Sequence, residues 1–151
     1  MSTRRMPKPE SDAGPLLGAL FRHARREVIV AAESAVAKAG FHGVREAHFA
    51  ITQRLWDLPG GARLTDLADY SGVTKQSMSA LVDDLEAAGY LERAADPDDG
   101  RARVVRFTAR GRKLAVVLRG AVRNVEADWA QRVGTARLET LRATMKLLTG
   151  K

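Results

Sequence analysis

Residues 64–108 read LTDLADYSGVTKQSMSALVDDLEAAGYLERAADPDDGRARVVRFT, and this stretch decides the fold. Its first part predicts two short helices joined by a turn that contains Gly72. Its last part predicts two strands around a turn with Asp96, Pro97 and Gly100. Such a pair of helices can place the second one in a DNA major groove, and a basic hairpin after it can reach the adjacent backbone. We therefore predict a winged helix-turn-helix that binds double-stranded DNA.

The second helix of this motif, predicted over residues 75–88, has an apolar face and a polar face. Met78 and Val82 lie one turn apart on the apolar face and are expected to point inward. The polar start of the helix then faces outward, where lysine, glutamine and serine side chains can hydrogen-bond to base edges. The DNA-binding residues predicted here are Lys75, Gln76 and Ser79, with Thr74 and Ser77 serving the helix cap or a phosphate.

The predicted hairpin, or wing, is rich in arginine. Arg101 directly follows the turn, which places it at the tip, where a guanidinium can enter a narrow minor groove. Asp99 is expected to hold this arginine in place through a charge-assisted hydrogen bond. The acidic residues of the turn are therefore expected to shape the wing rather than to contact DNA. The predicted DNA-binding residues of the wing are Arg101, Arg103 and Arg106, with Asp99 orienting Arg101.

Long amphipathic helices are predicted on both sides of the motif. Apolar residues recur at steps of three and four over residues 15–39, and again over 109–134 and 136–148. The fold class is therefore mainly α with a small β wing, with long terminal helices that suggest a platform for pairing with a second copy. The predicted divisions are a flexible basic arm (1–13), an N-terminal dimerisation helix (14–43), the winged helix-turn-helix region (44–108) and C-terminal helices that complete the dimerisation platform (109–151).

Shorter elements are predicted between the first helix and the motif. Residues 44–58 form a second helix, and residues 62–64 a very short strand. Thr65 is expected to be the N-cap of the next helix, because threonine oxygens accept hydrogen bonds from the free N–H groups of a first turn. The first strand of the hairpin is predicted over residues 90–94.

Composition narrows the class of partner. The chain has 151 residues, a formal net charge of +7 and no cysteine. This charge favours a polyanion, and nucleic acid fits better than a membrane surface because the cations are not confined to one amphipathic helix. The lack of cysteine excludes disulfides, thiolate catalysis and most zinc sites. With no signal peptide and no apolar run of about 20 residues, we expect a cytoplasmic protein with no membrane partner.

Six segments of the chain match a known pattern: LTDLA (64–68), GVT (72–74), LVDDLE (81–86), GYLER (89–93), DPDDGR (96–101) and FTARG (107–111). Through them, residues 45–113 resemble the MarR family of bacterial winged-helix regulators. Many relatives carry a basic residue at the positions of Ala80 and Asp84, and this chain departs from them there. The resemblance implies a homodimer built from the terminal helices, a recognition helix in the major groove and a wing in the minor groove. It also implies repression that a small phenolic or anionic ligand relieves.

The layout of the family suggests where a ligand would bind in this chain. His23, Arg26, His48 and Trp56, from the first two predicted helices, are the expected lining residues of an effector pocket. The histidines do not form the cluster with carboxylates that a metal sensor needs, so we predict no metal site and no cofactor.

Four functional hypotheses remain to be compared. No motif for nucleophilic, phosphate-binding or zinc-dependent catalysis is present, so an enzyme is the least favoured class. The leading hypothesis is a dimeric, ligand-responsive repressor that binds a pseudo-palindromic operator. The alternatives are an architectural DNA-binding protein that needs no ligand, and a helical interaction module whose basic wing binds an acidic protein.

Overall fold

The structure, a computed structural model, describes residues 14–150, and the predicted basic arm over residues 1–13 lies outside them. It confirms a mainly helical chain with one small antiparallel sheet. The elements in chain order are α1 (Leu17–Lys38), a short 3₁₀ turn (Glu46–His48), α2 (Phe49–Asp57), α3 (Leu64–Ser71), α4 (Lys75–Ala87), β1 (Leu91–Ala95), β2 (Arg103–Phe107), α5 (Ala109–Val133) and α6 (Thr135–Thr149).

Local sequence signals set the ends of the central helices. Gly72 ends α3 with a φ of 66°, a left-handed conformation that glycine adopts without steric cost. The Thr74 Oγ1 then accepts a hydrogen bond from the Ser77 backbone N–H at 3.1 Å, which confirms the predicted N-cap of α4. Thr108 caps α5 in the same way by accepting from the Gly111 N–H at 3.0 Å. The helix-turn-helix is therefore formed by α3, the turn at Gly72 and α4.

The wing is a two-stranded hairpin that starts one residue later than predicted. Leu91 pairs with Phe107 and Ala95 with Arg103, so the register keeps Val104 and Val105 buried. The predicted strand over residues 62–64 is reduced to a single bridge, in which Ala62 exchanges two backbone hydrogen bonds with Val105.

Two predicted helix starts are wrong. The helix predicted over residues 44–58 begins later, because Arg45 is extended (φ −133°, ψ 166°) and only a 3₁₀ turn precedes α2. Thr65 does not cap α3, since that helix already begins at Leu64 and Arg63 occupies the cap position without a capping side chain. The Arg63 side chain bonds to the wing instead.

One hydrophobic core joins α1–α5 and the wing, whereas α6 contributes no buried residue to it. Ile51, Leu67, Met78, Leu85 and Leu114 are fully buried, and they come from α2, α3, α4 and α5. Burying each such side chain stabilises the fold by roughly 1.5–3 kcal/mol. Helix α1 packs along α5, so the first and fifth helices form a base on which the helix-turn-helix rests.

Tyr90, between α4 and β1, is the main polar junction within this core. Its buried hydroxyl donates to the His42 carbonyl at 2.8 Å and accepts from the His42 N–H at 3.0 Å. Its ring meets Phe41 edge-on at 5.8 Å, and the Arg110 guanidinium lies 5.0 Å from the ring centre. Thr108 donates to the Tyr90 carbonyl. Tyr90 thereby connects the segment after α1, the wing and the start of α5.

Candidate nucleic-acid interface

The start of α4 is an exposed polar surface, as the sequence predicted. Lys75, Gln76 and Ser77 are exposed and Ser79 is partly exposed, whereas Met78 is fully buried. The hydroxyls of Thr74 and Ser77 hydrogen-bond to each other at 2.9 Å within the cap. Lys75 and Gln76 are therefore the side chains of this helix start that are most available to DNA.

The wing turn is built by its acidic residues, but not in the way predicted for Asp99. The Asp99 Oδ1 accepts from the backbone N–H of Arg101 at 3.1 Å. The predicted bond from Asp99 to the Arg101 guanidinium does not form, because the other carboxylate oxygen faces Arg63 at 3.5 Å. Asp99 thus positions the backbone of Arg101 and leaves its exposed side chain without a carboxylate partner among residues 14–150.

Arg63 ties the wing to the start of α3, and sequence reasoning missed it. Its guanidinium donates to the buried carboxylate of Asp96 from Nε at 2.9 Å and from Nη2 at 2.8 Å. The Asp98 backbone N–H also donates to Asp96, at 3.0 Å. These bonds, that from Asp98 first and those from Arg63 next, hold the pKa of Asp96 below its usual value. The ion pair between Arg63 and Asp96 therefore fixes the wing turn relative to the helix-turn-helix.

Ion pairs divide the remaining wing arginines into two groups. Arg93 is held by Asp83 at 2.6 Å and by Glu86, both on α4, and Arg106 pairs across the hairpin with Glu92 at 2.7 Å. Arg103 is exposed and forms no ion pair within the described part of the chain. Of the three predicted wing arginines, Arg101 and Arg103 are thus available to an external anion and Arg106 is engaged internally.

A basic cleft of about 390 Å³ joins the wing to the recognition helix. Lys75 of α4 and Arg103 of β2 both line it, together with Thr65 of α3. The two further cations of the cleft, Arg63 and Arg93, already have carboxylate partners. Lys75 and Arg103 are therefore the two cations of the cleft that have no carboxylate partner within residues 14–150, and such a cleft suits a phosphate group.

A larger cavity of about 610 Å³ lies between α1, α2, α5 and α6. Its apolar wall includes Val28, Ile29, Phe49, Leu118 and Val122. Its polar residues include two ion pairs, Arg25 with Glu46 and Arg142 with Glu126, together with Arg119 and Arg123.

Arg119 and Arg123 have no carboxylate partner within residues 14–150, unlike the other arginines of this cavity. The Arg119 guanidinium lies 4.4 Å from the centre of the Trp56 ring, and its buried Nε has no hydrogen-bond partner. Since the two residues are one turn apart on α5, both can face the same anion.

The four residues predicted to line a ligand pocket do not line this cavity. His23 and Arg26 are exposed on α1, and the Trp56 ring packs against the Arg119 guanidinium. His48 is fully buried on the side of the 3₁₀ turn that faces α4. The lining arginines come mainly from α5 and α6, and sequence periodicity does not show which of their faces meets α1.

Metal-binding clusters and membrane-spanning helices are both absent from residues 14–150. Within this range, no group of three histidine or carboxylate side chains is placed to hold a metal ion. None of the helices in the same range combines the length and the apolar character needed to cross a membrane.

Comparisons with known proteins identify the type of fold. Residues 57–102 match the model of the MarR family, which confirms the resemblance seen in the sequence. These residues contain α3, α4 and the first part of the wing. Among curated proteins, none matches this sequence.

Several solved structures resemble most of the chain in fold. CouR from Rhodococcus jostii RHA1 bound to p-coumaroyl-CoA is 22% identical with a TM-score of 0.74, over 91% of this chain and 95% of that one. A MarR family protein of Mycobacterium tuberculosis in complex with salicylic acid is 27% identical with a TM-score of 0.65, over 92% and 99%. The repressor CouR bound to a 23-mer DNA duplex is 23% identical with a TM-score of 0.71, over 89% and 92%.

Proposed function

We propose, from the MarR winged-helix fold of this chain and its family match over residues 57–102, that it is a dimeric, sequence-specific, DNA-binding transcriptional regulator. The observation that carries the proposal is that Lys75 of α4 and Arg103 of β2 line one basic cleft, with the exposed Arg101 two residues before Arg103 in the wing. We further propose that it acts as a repressor without enzymatic activity and that a small ligand releases it from DNA.

The proposed contacts divide between phosphate binding and base reading. Arg103 and Lys75 hold a phosphate in the cleft, which sets the position of α4 along the groove. Gln76 and Ser79 then face the base edges, where a glutamine amide pairs with adenine through two hydrogen bonds. Arg101 enters the neighbouring minor groove from the wing tip, where a narrow groove has a strongly negative potential.

A second copy of the chain is the partner proposed for the exposed apolar faces at both ends. Leu16 is 80% exposed and Leu17 is 65% exposed at the start of α1. Leu147 is 85% exposed, and α6 has no buried residue at all. Apolar patches of this kind favour burial against another surface. Two-fold pairing would cover them and present two recognition helices to half-sites about 10 base pairs apart.

Selection of bound duplexes from a random pool, combined with a mass measurement in solution, tests this function. We expect a mass of two chains and one enriched inverted repeat with half-sites about one helical turn apart. Binding without any enriched sequence would favour the architectural alternative instead. Failure to bind any duplex at low salt would favour the interaction module.

Gln76→Ala is expected to relax the base preference at one position of each half-site. Removing the amide should reduce discrimination there by about tenfold, since one two-bond contact is worth roughly 1–3 kcal/mol. Repeating the selection with this variant measures the effect. Gln131→Ala, which removes an exposed amide from α5, is the matched control and should preserve the preference. An equal loss of affinity for all sequences would contradict base reading by Gln76.

The proposed effector is a small aromatic anion in the cavity of about 610 Å³. Phe49 and Leu118 offer an apolar wall for a ring, and Arg119 and Arg123 offer positive charge without a carboxylate partner. The volume is within the range of about 300–1,000 Å³ that is typical of small-molecule sites. Relatives bound to salicylic acid and to p-coumaroyl-CoA make these two compounds the first probes.

Arg123→Ala is expected to weaken salicylate binding about tenfold, because it removes one charged partner of the carboxylate. Titration calorimetry on the whole protein measures this change. Arg137→Ala removes an exposed arginine of α6 that does not line the cavity and should bind like the unchanged chain. Equal affinities of the two variants would place the anion elsewhere, and no binding of either probe would contradict an aromatic anion as effector.

A further inference from the structure

The 3₁₀ turn Glu46–His48 lies between the effector cavity and the recognition helix. On one side, Glu46 lines the cavity and forms an ion pair with Arg25 of α1. On the other side, Arg45 and His48 both approach the carboxylate of Asp84 on α4. A movement of this short segment therefore acts on both sites at once.

Asp84 is held by two groups from that segment. The Arg45 guanidinium donates to its Oδ2, and the same oxygen lies 3.5 Å from the His48 Nε2. The His48 Nδ1 accepts from the backbone N–H of Arg45 at 3.2 Å, which places the ring proton on Nε2, facing Asp84. The buried Nε2 makes no hydrogen bond within residues 14–150, and the Asp84 Oδ2 at 3.5 Å is its one recorded polar contact there. Moving Asp84 away would remove this electrostatic contact from a buried polar atom, which is unfavourable.

The charge states support this arrangement. Burial, and next the positive charge of Arg45, lower the pKa of His48, so its ring is neutral at neutral pH. The hydrogen bond from Arg45 lowers the pKa of Asp84 and keeps that carboxylate ionised. The contact is therefore between a neutral imidazole, an arginine and a carboxylate.

We propose that Asp84 is a positioning residue, through which occupation of the cavity changes the orientation of the recognition helix. The proposal rests on the DNA-binding function above. Arg25 and Glu46 line the same cavity as Arg119 and Arg123, so an anion bound there also competes with Glu46 for the Arg25 guanidinium. The released 3₁₀ turn then carries Arg45 and His48 with it. Because α4 has 13 residues and is a rigid rod about 20 Å long, a tilt at Asp84 moves its DNA-facing start.

Replacing Arg25 by alanine imitates the capture of its guanidinium by a ligand and needs no knowledge of the effector. We expect Arg25→Ala to lower the affinity for the selected duplex about fivefold, which is at the lower end of typical couplings between sites. In the Asp84→Asn background, Arg25→Ala should change the affinity less than about twofold, because the carboxylate that contacts Arg45 and His48 is already absent. Fluorescence anisotropy of a labelled duplex measures the affinity of the unchanged chain, the two single variants and the double variant.

Two charge-matched variants serve as controls. Arg26→Ala removes the neighbouring exposed arginine of α1, and Asp69→Asn removes an exposed carboxylate of α3. Neither residue touches the 3₁₀ turn through an ion pair or hydrogen bond, so Arg26→Ala should leave the affinity unchanged. Asp69→Asn should leave the effect of Arg25→Ala intact.

Deuterium uptake by residues 75–87 is a second readout that does not depend on DNA. Arg25→Ala should raise the uptake only where Asp84 is present. If Arg25→Ala has the same effect on affinity and on uptake with and without Asp84, the proposed role of Asp84 is wrong, even when DNA binding itself is established. If no variant binds DNA, the proposed function fails. The deuterium uptake alone then tests whether Asp84 connects the cavity to α4.

Discussion

Replacing Gly111 with alanine is expected to destabilise the fold by about 3 kcal/mol or more, at the upper end of what added volume costs in a packed core. A Cβ at this position would lie 1.8 Å from the Tyr90 carbonyl oxygen and 3.0 Å from Cδ1 of Phe107. That carbonyl cannot withdraw easily, because it accepts hydrogen bonds from both the backbone and the side chain of Thr108. Helix α5 would have to move away from the wing as a whole.

Thermal unfolding at one fixed protein concentration measures this change, and we expect the midpoint to fall by roughly 10 °C. Gly120→Ala in the same helix is the matched control, since its Cβ would meet nothing within 4 Å. It should stabilise the chain by about 0.5–1 kcal/mol, because alanine favours helix more than glycine does. If the two variants unfold alike, the contact between α5 and Tyr90 is looser than the structure indicates.

Arg101→Ala is expected to lower DNA affinity about tenfold at about 0.15 M salt, for all sequences. The physical reason is the loss of an exposed guanidinium that has no carboxylate partner within residues 14–150 and is therefore available to the groove. The slope of log affinity against log salt should become shallower by about one unit for each protomer that binds. Anisotropy titrations at several salt concentrations measure both quantities.

Arg106→Ala provides the comparison for this variant. It removes the same formal charge from the same hairpin, but its guanidinium is paired with Glu92 at 2.7 Å. We expect its affinity to change less than about threefold, as is usual for an exposed charge that is already neutralised. Equal losses for the two variants would mean that bulk charge, rather than placement at the wing tip, governs binding.

The local architecture could be predicted because its signals lie close together in the sequence. Thr74 and Thr108 cap the helices that follow them, and Gly72 ends the helix before it. The apolar face of α4 is confirmed by the burial of Met78 and Leu85. These features depend on neighbouring residues only, so a pattern of a few positions is sufficient to predict them.

The contacts that organise the candidate site could not be predicted, because they join distant segments. Arg63 meets Asp96 across 33 positions of sequence, and Arg45 meets Asp84 across 39. Asp84 stands out in the sequence only as a departure from the basic residue common among relatives. The structure supplies a physical reason for an acid there, since the carboxylate pairs with Arg45.

The Tyr90 junction has a consequence for the folding of the chain. The Tyr90 side chain joins the segment at His42 to the hairpin. The Tyr90 backbone carbonyl joins both to the beginning of α5 at Thr108. The helical base and the helix-turn-helix with its wing therefore lose their contacts together, which favours a single cooperative unfolding transition over stepwise detachment. A fragment that contained only the helix-turn-helix and the wing would expose this aromatic ring to water and lose both hydrogen bonds to His42, so it depends on the segment after α1 for its own stability.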